Sequence, residues 1–81
     1  MDKRLSLRIH AKRRALERYH FTFNRYERND IIAIIKGGQA RKVEAHSLRV
    51  VEYLLTFKDI PLRLLYDRKR KEIITFLPLQ E

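Results

Sequence analysis

The chain has 81 residues, which fits one small domain with a modest hydrophobic core and argues against two independent domains. It has no cysteine, which excludes disulfides and thiolate metal sites, and its start lacks the apolar segment of a secretory signal. Nineteen Lys and Arg against ten Asp and Glu give a formal charge of +9, which predicts polyanionic partners, nucleic acid first. A cytoplasmic location is expected because the sequence shows neither a secretory signal nor a long apolar run.

The N-terminal segment is predicted to change from an extended lead-in to a helix at His10. Leu5, Leu7 and Ile9 alternate with polar residues, which is typical of a short strand. From His10 to Tyr19, apolar residues recur every four positions and define one face of a helix of two to three turns. We therefore expect the first helix to begin only at His10.

A second helix is predicted from Asn24 to Lys36. Asn24 is a suitable N-cap, and Gly37 is expected at the C′ position just past the helix. The run IIAII between them suits a buried strand equally well by periodicity. The caps at both ends of the segment favour a helix.

Four segments after Gly38 have the pattern of β-strands. ARKVEAH alternates polar and apolar residues like an edge strand, and LRVVEYLLTF is apolar on both faces like a central strand. PLRLLYD and EIITFLP flank the polar run RKRK, which is typical of a hairpin. The sequence predicts one α+β domain over residues 1–81, with two N-terminal helices packed on one face of a three- to four-stranded antiparallel sheet.

His10, Arg14 and Arg18 are spaced four residues apart, so on a helix they form one stripe. Imidazole exchanges a proton near neutral pH, and two guanidinium groups neutralise a phosphodiester and its transition state. The alternative is a solvated face on which Arg14 and Arg18 pair with Glu17 or Glu27 while His10 caps the helix.

The predicted strands also hold polar side chains, and each of these needs either a partner or a function. They are Arg49, Glu52, Tyr53, Arg63, Tyr66 and Asp67. Strand alternation places Arg49 and Tyr53 on one face and Glu52 on the other, so Arg49 and Tyr53 are predicted to hold a phosphate and stack a base. In the alternative, Tyr53 belongs to the core and Arg49 lies over its rim.

The densest charge lies at DRKRKE, residues 67–72. At a hairpin tip, Arg68, Lys69, Arg70 and Lys71 would follow a phosphate backbone and make binding salt dependent. A solvated turn is the alternative. The three histidines lack a zinc-site spacing and the chain lacks a Walker or GxGxxG loop, so we expect no metal and no cofactor.

The segment HAKRRALERYHFTFNRYERNDIIAIIKGG, with IPLRLLYDRKRKEIITFLP after it, resembles small bacterial and phage proteins that open with a His-Ala-x-x-Arg-type helix. These are grouped with RelE-like toxins in the ribonuclease fold of barnase, EndoU, colicin nucleases and RelE. The resemblance implies that the sheet face opposite the helices carries RNA, which is cut without metal by attack of the 2′-hydroxyl. It implies His10 as acid or base, Arg14 as phosphate ligand and Thr75 as hydroxyl partner.

The expected function is that of a small basic RNA-binding protein, and the resemblance implies a metal-independent endoribonuclease of RelE-like toxin type. The residues expected to bind nucleic acid are Arg18, Arg49, Tyr53, Arg63, Arg68, Lys69, Arg70 and Lys71. The alternatives are a non-catalytic nucleic-acid-binding module and a basic interaction domain for an acidic, antitoxin-like protein. The ribosome is a further candidate partner. A membrane is not expected, because no apolar run approaches about 20 residues, and the oligomeric state is left open.

Overall fold

The computed structural model describes residues 3–79, with side chains from residue 9 onward. The elements in chain order are α1 (Lys3–Tyr19), α2 (Arg25–Lys36), β1 (Arg41–Ala45), β2 (Val50–Phe57), β3 (Ile60–Asp67) and β4 (Glu72–Leu77). The strands form one antiparallel sheet in the order β1-β2-β3-β4. This confirms the α+β class with two helices before the sheet. Within these residues, no helix has the length and apolar character needed to span a membrane.

The first helix begins earlier than the sequence predicted. α1 includes the segment expected to be extended, so His10 lies in the middle of the helix and not at its cap. The prediction of a lead-in strand is wrong because Lys, Arg and Leu are good helix formers, and no Gly or Pro interrupts them. The side chains of residues 3–8 lie outside the described part. The helix ends at Tyr19. The next residue, His20, has a φ of 56° and donates its N–H to Leu16 O at 3.1 Å.

The N-terminus of α2 is capped as predicted, and IIAII is helical. Asn24 Oδ1 accepts the N–H groups of Tyr26 at 2.9 Å and Glu27 at 3.3 Å. Glu27 Oε1 accepts the Asn24 N–H at 3.2 Å, which completes a capping box. Because the first amide groups are satisfied locally, the β-branched run that follows continues as a helix.

The C-terminus of α2 differs from the prediction by one residue. Gly37 keeps a right-handed φ of −77°, whereas Gly38 has a φ of +77° and occupies the C′ position. Gln39 N–H donates to Ile34 O at 3.1 Å and Gly38 N–H to Ile35 O at 3.2 Å, the two bonds of a Schellman motif. The assignment of Gly37 to C′ is wrong, because two consecutive glycines give the same sequence signal.

The sheet has the strand roles that the patterns indicated. β1 exposes every one of its residues and lies at the edge, while β2 and β3 are central. The two-residue turn between β2 and β3 contains Lys58 and Asp59, with φ values of 50° and 65°, as a type I′ hairpin requires. Residues 68–71 form the predicted tip of the β3–β4 hairpin.

One hydrophobic cluster joins both helices to the sheet. Its buried members are Ala11, Ala15, Phe23, Ile31, Ile35, Leu55, Phe57, Leu62, Leu64, Tyr66, Ile73 and Phe76. We call the side of the sheet that carries these strand residues the core face. The other side, which carries Glu52 in β2 and Arg63 in β3, is the second face. That both helices cover one face of the sheet stays a prediction.

Candidate functional site

A buried carboxylate lies on the second face of the sheet, bonded to a histidine and an arginine. Glu52 is only 2% exposed, although it belongs to a strand face without core residues. His46 Nε2 lies 2.9 Å from Glu52 Oε1, and Arg63 Nε donates to Glu52 Oε2. We call His46, Glu52 and Arg63 the Glu52 cluster. Glu52 is the most buried of the polar residues in the described part of the chain.

Strand register brings the Glu52 cluster together. Glu52 pairs with Leu65 across the β2–β3 ladder, and Arg63 lies two residues from Leu65 on the same face. His46 directly follows β1, and its N–H donates to Val50 O at 2.9 Å in the tight β1–β2 turn. The turn therefore returns His46 to the side of the strand that carries Glu52.

The electrostatics of the cluster keep Glu52 ionised. Burial raises the pKa of the Glu52 carboxyl, but the hydrogen bonds from His46 and Arg63 outweigh it, so that pKa lies below its ordinary value. An imidazole that donates through Nε2 has Nδ1 as its acceptor. The His46 side chain is 41% exposed, so a substrate can reach it. A carboxylate that orients an accessible imidazole is suited to proton transfer.

The same residues approach a metal-ligand arrangement. Among residues 9–79, Glu44, His46 and Glu52 form the one group of three His, Asp or Glu residues whose ligand atoms all lie within 4.8 Å of one another. Glu44 Oε2 is 3.8 Å from His46 Nε2. The guanidinium of Arg63 already binds Glu52, and its positive charge opposes a cation there. The donor set therefore favours proton transfer over a metal.

Thr75 lies on the same face as the Glu52 cluster. Thr75 pairs with Leu65, which in turn pairs with Glu52, so the three residues form one row across β4, β3 and β2. With strands about 4.8 Å apart, Thr75 is about 10 Å from Glu52 along this row. Of the three residues implied to be catalytic, the structure brings Thr75 to this face.

The α1 stripe is arranged differently. His10 is exposed in the middle of the helix, and Arg14 Nη1 lies 3.4 Å from Glu17 Oε1. The ion pair left open as the alternative for Arg14 is thus present. Arg18 is exposed near the end of α1 and lines a separate surface depression with Tyr19. The catalytic roles of His10 and Arg14 stay predictions.

Arg49 and Tyr53 were predicted to share one face of the sheet, but the structure places them on different faces. Tyr53 packs at the margin of the core, and its ring lies 6.3 Å from that of Tyr66. Arg49 Nη2 donates to Asp67 Oδ2 at 2.8 Å, on the second face. The prediction is wrong because β2 begins at Val50, so strand alternation does not extend to Arg49. The alternative reading of Tyr53 as a core residue agrees with the structure.

Asp67 joins the two hairpin turns at one end of the sheet. Its Oδ1 accepts the N–H groups of Lys69 at 2.9 Å and Arg70 at 3.0 Å, while Oδ2 binds Arg49. Burial raises the pKa of Asp67, but these bonds outweigh it and hold the pKa below its ordinary value. Arg68 N–H also donates to Arg49 O at 2.6 Å. The turns are therefore fixed against each other.

A basic concavity lies between the two turns. Leu48, Arg49, Arg68 and Lys69 line a depression of about 450 Å³, and we call these four residues the tip patch. Leu48 is 98% exposed, the most exposed of the large hydrophobic residues in the described part. Within residues 9–79, the side chains of Arg68, Lys69 and Lys71 form no ion pair. The structure thus groups three of the predicted nucleic-acid-binding residues.

The sequence indicated only part of this site. Glu52 and Asp67 stood out as acidic residues in apolar strands, and both prove to be buried with partners. The sequence patterns concern His46 only as a metal ligand, and they give no signal for Leu48. The signal that could have found His46 is its place just before a tight turn, which returns the chain to the strand of Glu52.

No protein-family model matches the chain, and neither a curated protein nor a solved structure is significantly similar to it. What the chain does must be inferred from the Glu52 cluster, the tip patch and the overall charge. The resemblance to RelE-like toxins rests on the sequence motifs alone and stays a prediction.

Proposed function

We propose that the chain binds RNA with the tip patch and the second face of the sheet, and cleaves it without metal at the Glu52 cluster. The observation that carries this proposal is the 2.9 Å contact between the accessible His46 imidazole and the buried Glu52 carboxylate. A base held by a third group is the common arrangement for activating a hydroxyl. The cytoplasm, where RNA and ribosomes are present, is the proposed location. The ribosome is a further candidate partner if the chain is of RelE-like toxin type.

The reaction that fits these groups is a transesterification within the RNA. His46 Nδ1 takes the proton from the ribose 2′-hydroxyl, and the 2′-oxygen attacks the adjacent phosphorus. The bond from phosphorus to the 5′-oxygen breaks, and that oxygen leaves with a proton from water. The hydroxide that remains takes the proton from the His46 imidazolium, which restores the neutral imidazole. The products are a 2′,3′-cyclic phosphate and a 5′-hydroxyl end. No metal is needed for this balance.

The remaining groups of the second face have supporting roles. Arg63 shares the Glu52 carboxylate with His46, and we assign to its guanidinium the stabilisation of the additional negative charge of the pentacoordinate phosphorus. Thr75 offers a hydroxyl on the same face as a hydrogen-bond donor to a phosphate oxygen. Glu52 orients the imidazole and stabilises the imidazolium that forms. Glu52 is therefore a positioning residue.

The test is cleavage of a mixed-sequence RNA in the presence of EDTA by the wild type, His46→Ala and His10→Ala, at matched folded concentrations. We expect His46→Ala to lower the cleavage rate by about 10² to 10⁴ with nearly unchanged RNA affinity, the usual effect of losing a general base. His10→Ala tests the competing prediction that His10 is the acid or base, and under the present proposal it keeps the wild-type rate. The opposite result would assign proton transfer to α1, and loss of wild-type activity in EDTA would indicate a metal at Glu44, His46 and Glu52.

One observation favours a second candidate, a module that binds RNA without cutting it. Both oxygens of Glu52 are engaged, as they are in ion pairs that serve only to hold strands together. If the wild type binds RNA but cleaves neither free nor ribosome-bound RNA, this second candidate replaces the enzyme.

A further inference from the structure

We infer that the tip patch binds one unpaired nucleotide of the RNA, with the base packed on Leu48 and the flanking phosphates on Arg68 and Lys69. This inference rests on the proposed RNA binding and deepens it, because it names single-stranded RNA as the substrate class. It also gives a role to a residue that the cleavage chemistry does not use.

Leu48 is held out in water by a turn with fixed geometry. Ser47 Oγ accepts the N–H groups of Arg49 at 3.3 Å and Val50 at 3.0 Å, and the backbone N–H of Ser47 itself donates to Val50 O at 3.2 Å. The turn therefore directs a large apolar side chain outward, where it gains nothing in the isolated chain. An apolar group that binds there would bury Leu48.

The surroundings of Leu48 define the chemistry of that group. Arg49 is anchored by Asp67, and Arg68 and Lys69 border the same concavity. A projecting apolar side chain beside cations complements a nucleotide, whose base has an apolar face and whose phosphates are anionic. An anionic bilayer also combines apolar and negative groups, but stable anchoring there needs more apolar insertion than one leucine in a concavity supplies. The observations therefore favour a nucleotide.

The strand must be unpaired at this point. In an RNA duplex the faces of each base are covered by stacked neighbours, and the accessible surface is phosphate and 2′-hydroxyl. Leu48 could reach a base face only in a single strand. His46 lies two residues before Leu48 in the same β1–β2 turn, so a strand packed on Leu48 lies beside the turn that carries the imidazole. The tip patch would thus select unpaired RNA and position the phosphate to be cut.

Binding of short labelled strands, measured by fluorescence anisotropy, tests this inference. The probes are a 2′-O-methyl RNA, which cannot be cut by 2′-hydroxyl attack, the duplex of the same sequence, and an abasic sugar-phosphate strand of equal length. We expect Leu48→Ala to weaken binding of the single-stranded RNA about three- to tenfold and to leave the abasic strand unaffected. Leu16→Ala, at an exposed leucine of α1, is the matched control and should change neither affinity.

Several results would overturn the inference. They are an equal loss on the abasic strand, no loss on the base-containing strand, or tighter wild-type binding of the duplex. Leu48-dependent binding to vesicles of phosphatidylserine in phosphatidylcholine, with RNA binding unaffected, would assign the tip patch to a membrane. None of these results removes the cleavage proposal, because the binding measurements use an RNA that cannot be cut and therefore report nothing about cleavage. Absence of any RNA binding by the wild type at low salt would remove both.

Discussion

Two buried carboxylates, Glu52 and Asp67, organise the second face of the sheet at the level of single residues. Glu52 connects His46 with Arg63, and Asp67 holds Arg49 together with two backbone N–H groups of the neighbouring turn. Each carboxylate is removed from water, and each is compensated by more than one charged or dipolar donor. Function and stability therefore depend on the same few bonds.

These bonds predict a loss of stability in acid. The folded-state pKa values of Glu52 and Asp67 are lower than their ordinary values of 4.5 and 3.8, so both stabilise the fold above those values and lose the contribution as pH falls through the folded pKa. Urea unfolding should give a nearly constant free energy from pH 7 to about pH 5, then a decrease below about pH 4.5.

The matched variant for this prediction is Asp67→Asn. It keeps the shape of the side chain but removes the titrating carboxylate, so its free energy of unfolding should be lower at pH 7 and should fall less steeply in acid. We expect a loss of about 1–3 kcal/mol at pH 7, since the Arg49 guanidinium and two backbone N–H groups lose a charged acceptor that is itself buried. An acid profile parallel to that of the wild type would contradict the assignment of the effect to Asp67.

Single-residue chemistry was only partly readable from the sequence. That Glu52 and Asp67 need partners follows from their apolar neighbours in the strands. Which partners they have depends on the exact residue at which β2 begins and on two turn geometries. The predicted strand began at Leu48, but β2 begins at Val50, so Arg49 lies in the turn and strand alternation does not fix its face.

At the level of elements, α2 is defined by its local caps. The capping box of Asn24 and Glu27 satisfies the first N–H groups of the helix. At its other end, the N–H groups of Gly38 and Gln39 donate to carbonyl oxygens of the last turn. These signals lie within a few residues, so the helix could be predicted although IIAII alone fits a strand. α1 lacked such a start signal, and five alternating residues were read as extended. The segment with these alternating residues pairs with none of the four strands of the described sheet, so no ladder of hydrogen bonds holds it extended.

The cap of α2 gives a measurable prediction. Asn24→Ala should lower the free energy of unfolding by about 1 kcal/mol, because Oδ1 no longer accepts the N–H groups of Tyr26 and Glu27. Asn29→Ala is the control, since Asn29 is exposed within the same helix and alanine is the better helix former there. Urea unfolding of both variants measures the difference. Equal losses in the two would show that the cap is not the cause.

At the level of the whole molecule, the charge of +9 is divided between engaged and available cations. Arg14, Arg28 and Arg49 lie in ion pairs with acidic residues, whereas Arg68 and Lys69 have none within residues 9–79. Lys12, Arg13, Arg18, Arg41 and Lys42 also form no ion pair within residues 9–79, so several basic surfaces are available to a polyanion and the tip patch is one of them. The net charge was available from the sequence, but its distribution required the ion pairs to be known.

This distribution predicts how RNA binding depends on salt. The plot of log K against log[salt] should have a slope of several units, with about 0.7 contributed by each phosphate of a single strand. Removing Arg68 and Lys69 together by alanine should reduce the slope by about 1.4, because two phosphate contacts are lost. Lys12→Ala combined with Lys36→Ala removes the same two positive charges at exposed positions of α1 and α2 and should leave the slope unchanged. Equal reductions would indicate diffuse attraction without a site.

The bonds of Asp67 also couple the motions of the two turns. Because one carboxylate and the Arg68 N–H tie the β1–β2 turn to the β3–β4 turn, neither turn samples its conformations independently of the other. A phosphate bound by Arg68 would therefore also restrain the turn that carries Leu48, because the Arg68 N–H donates to Arg49 O in that turn. Contacts made at one turn would in this way favour contacts made at the other.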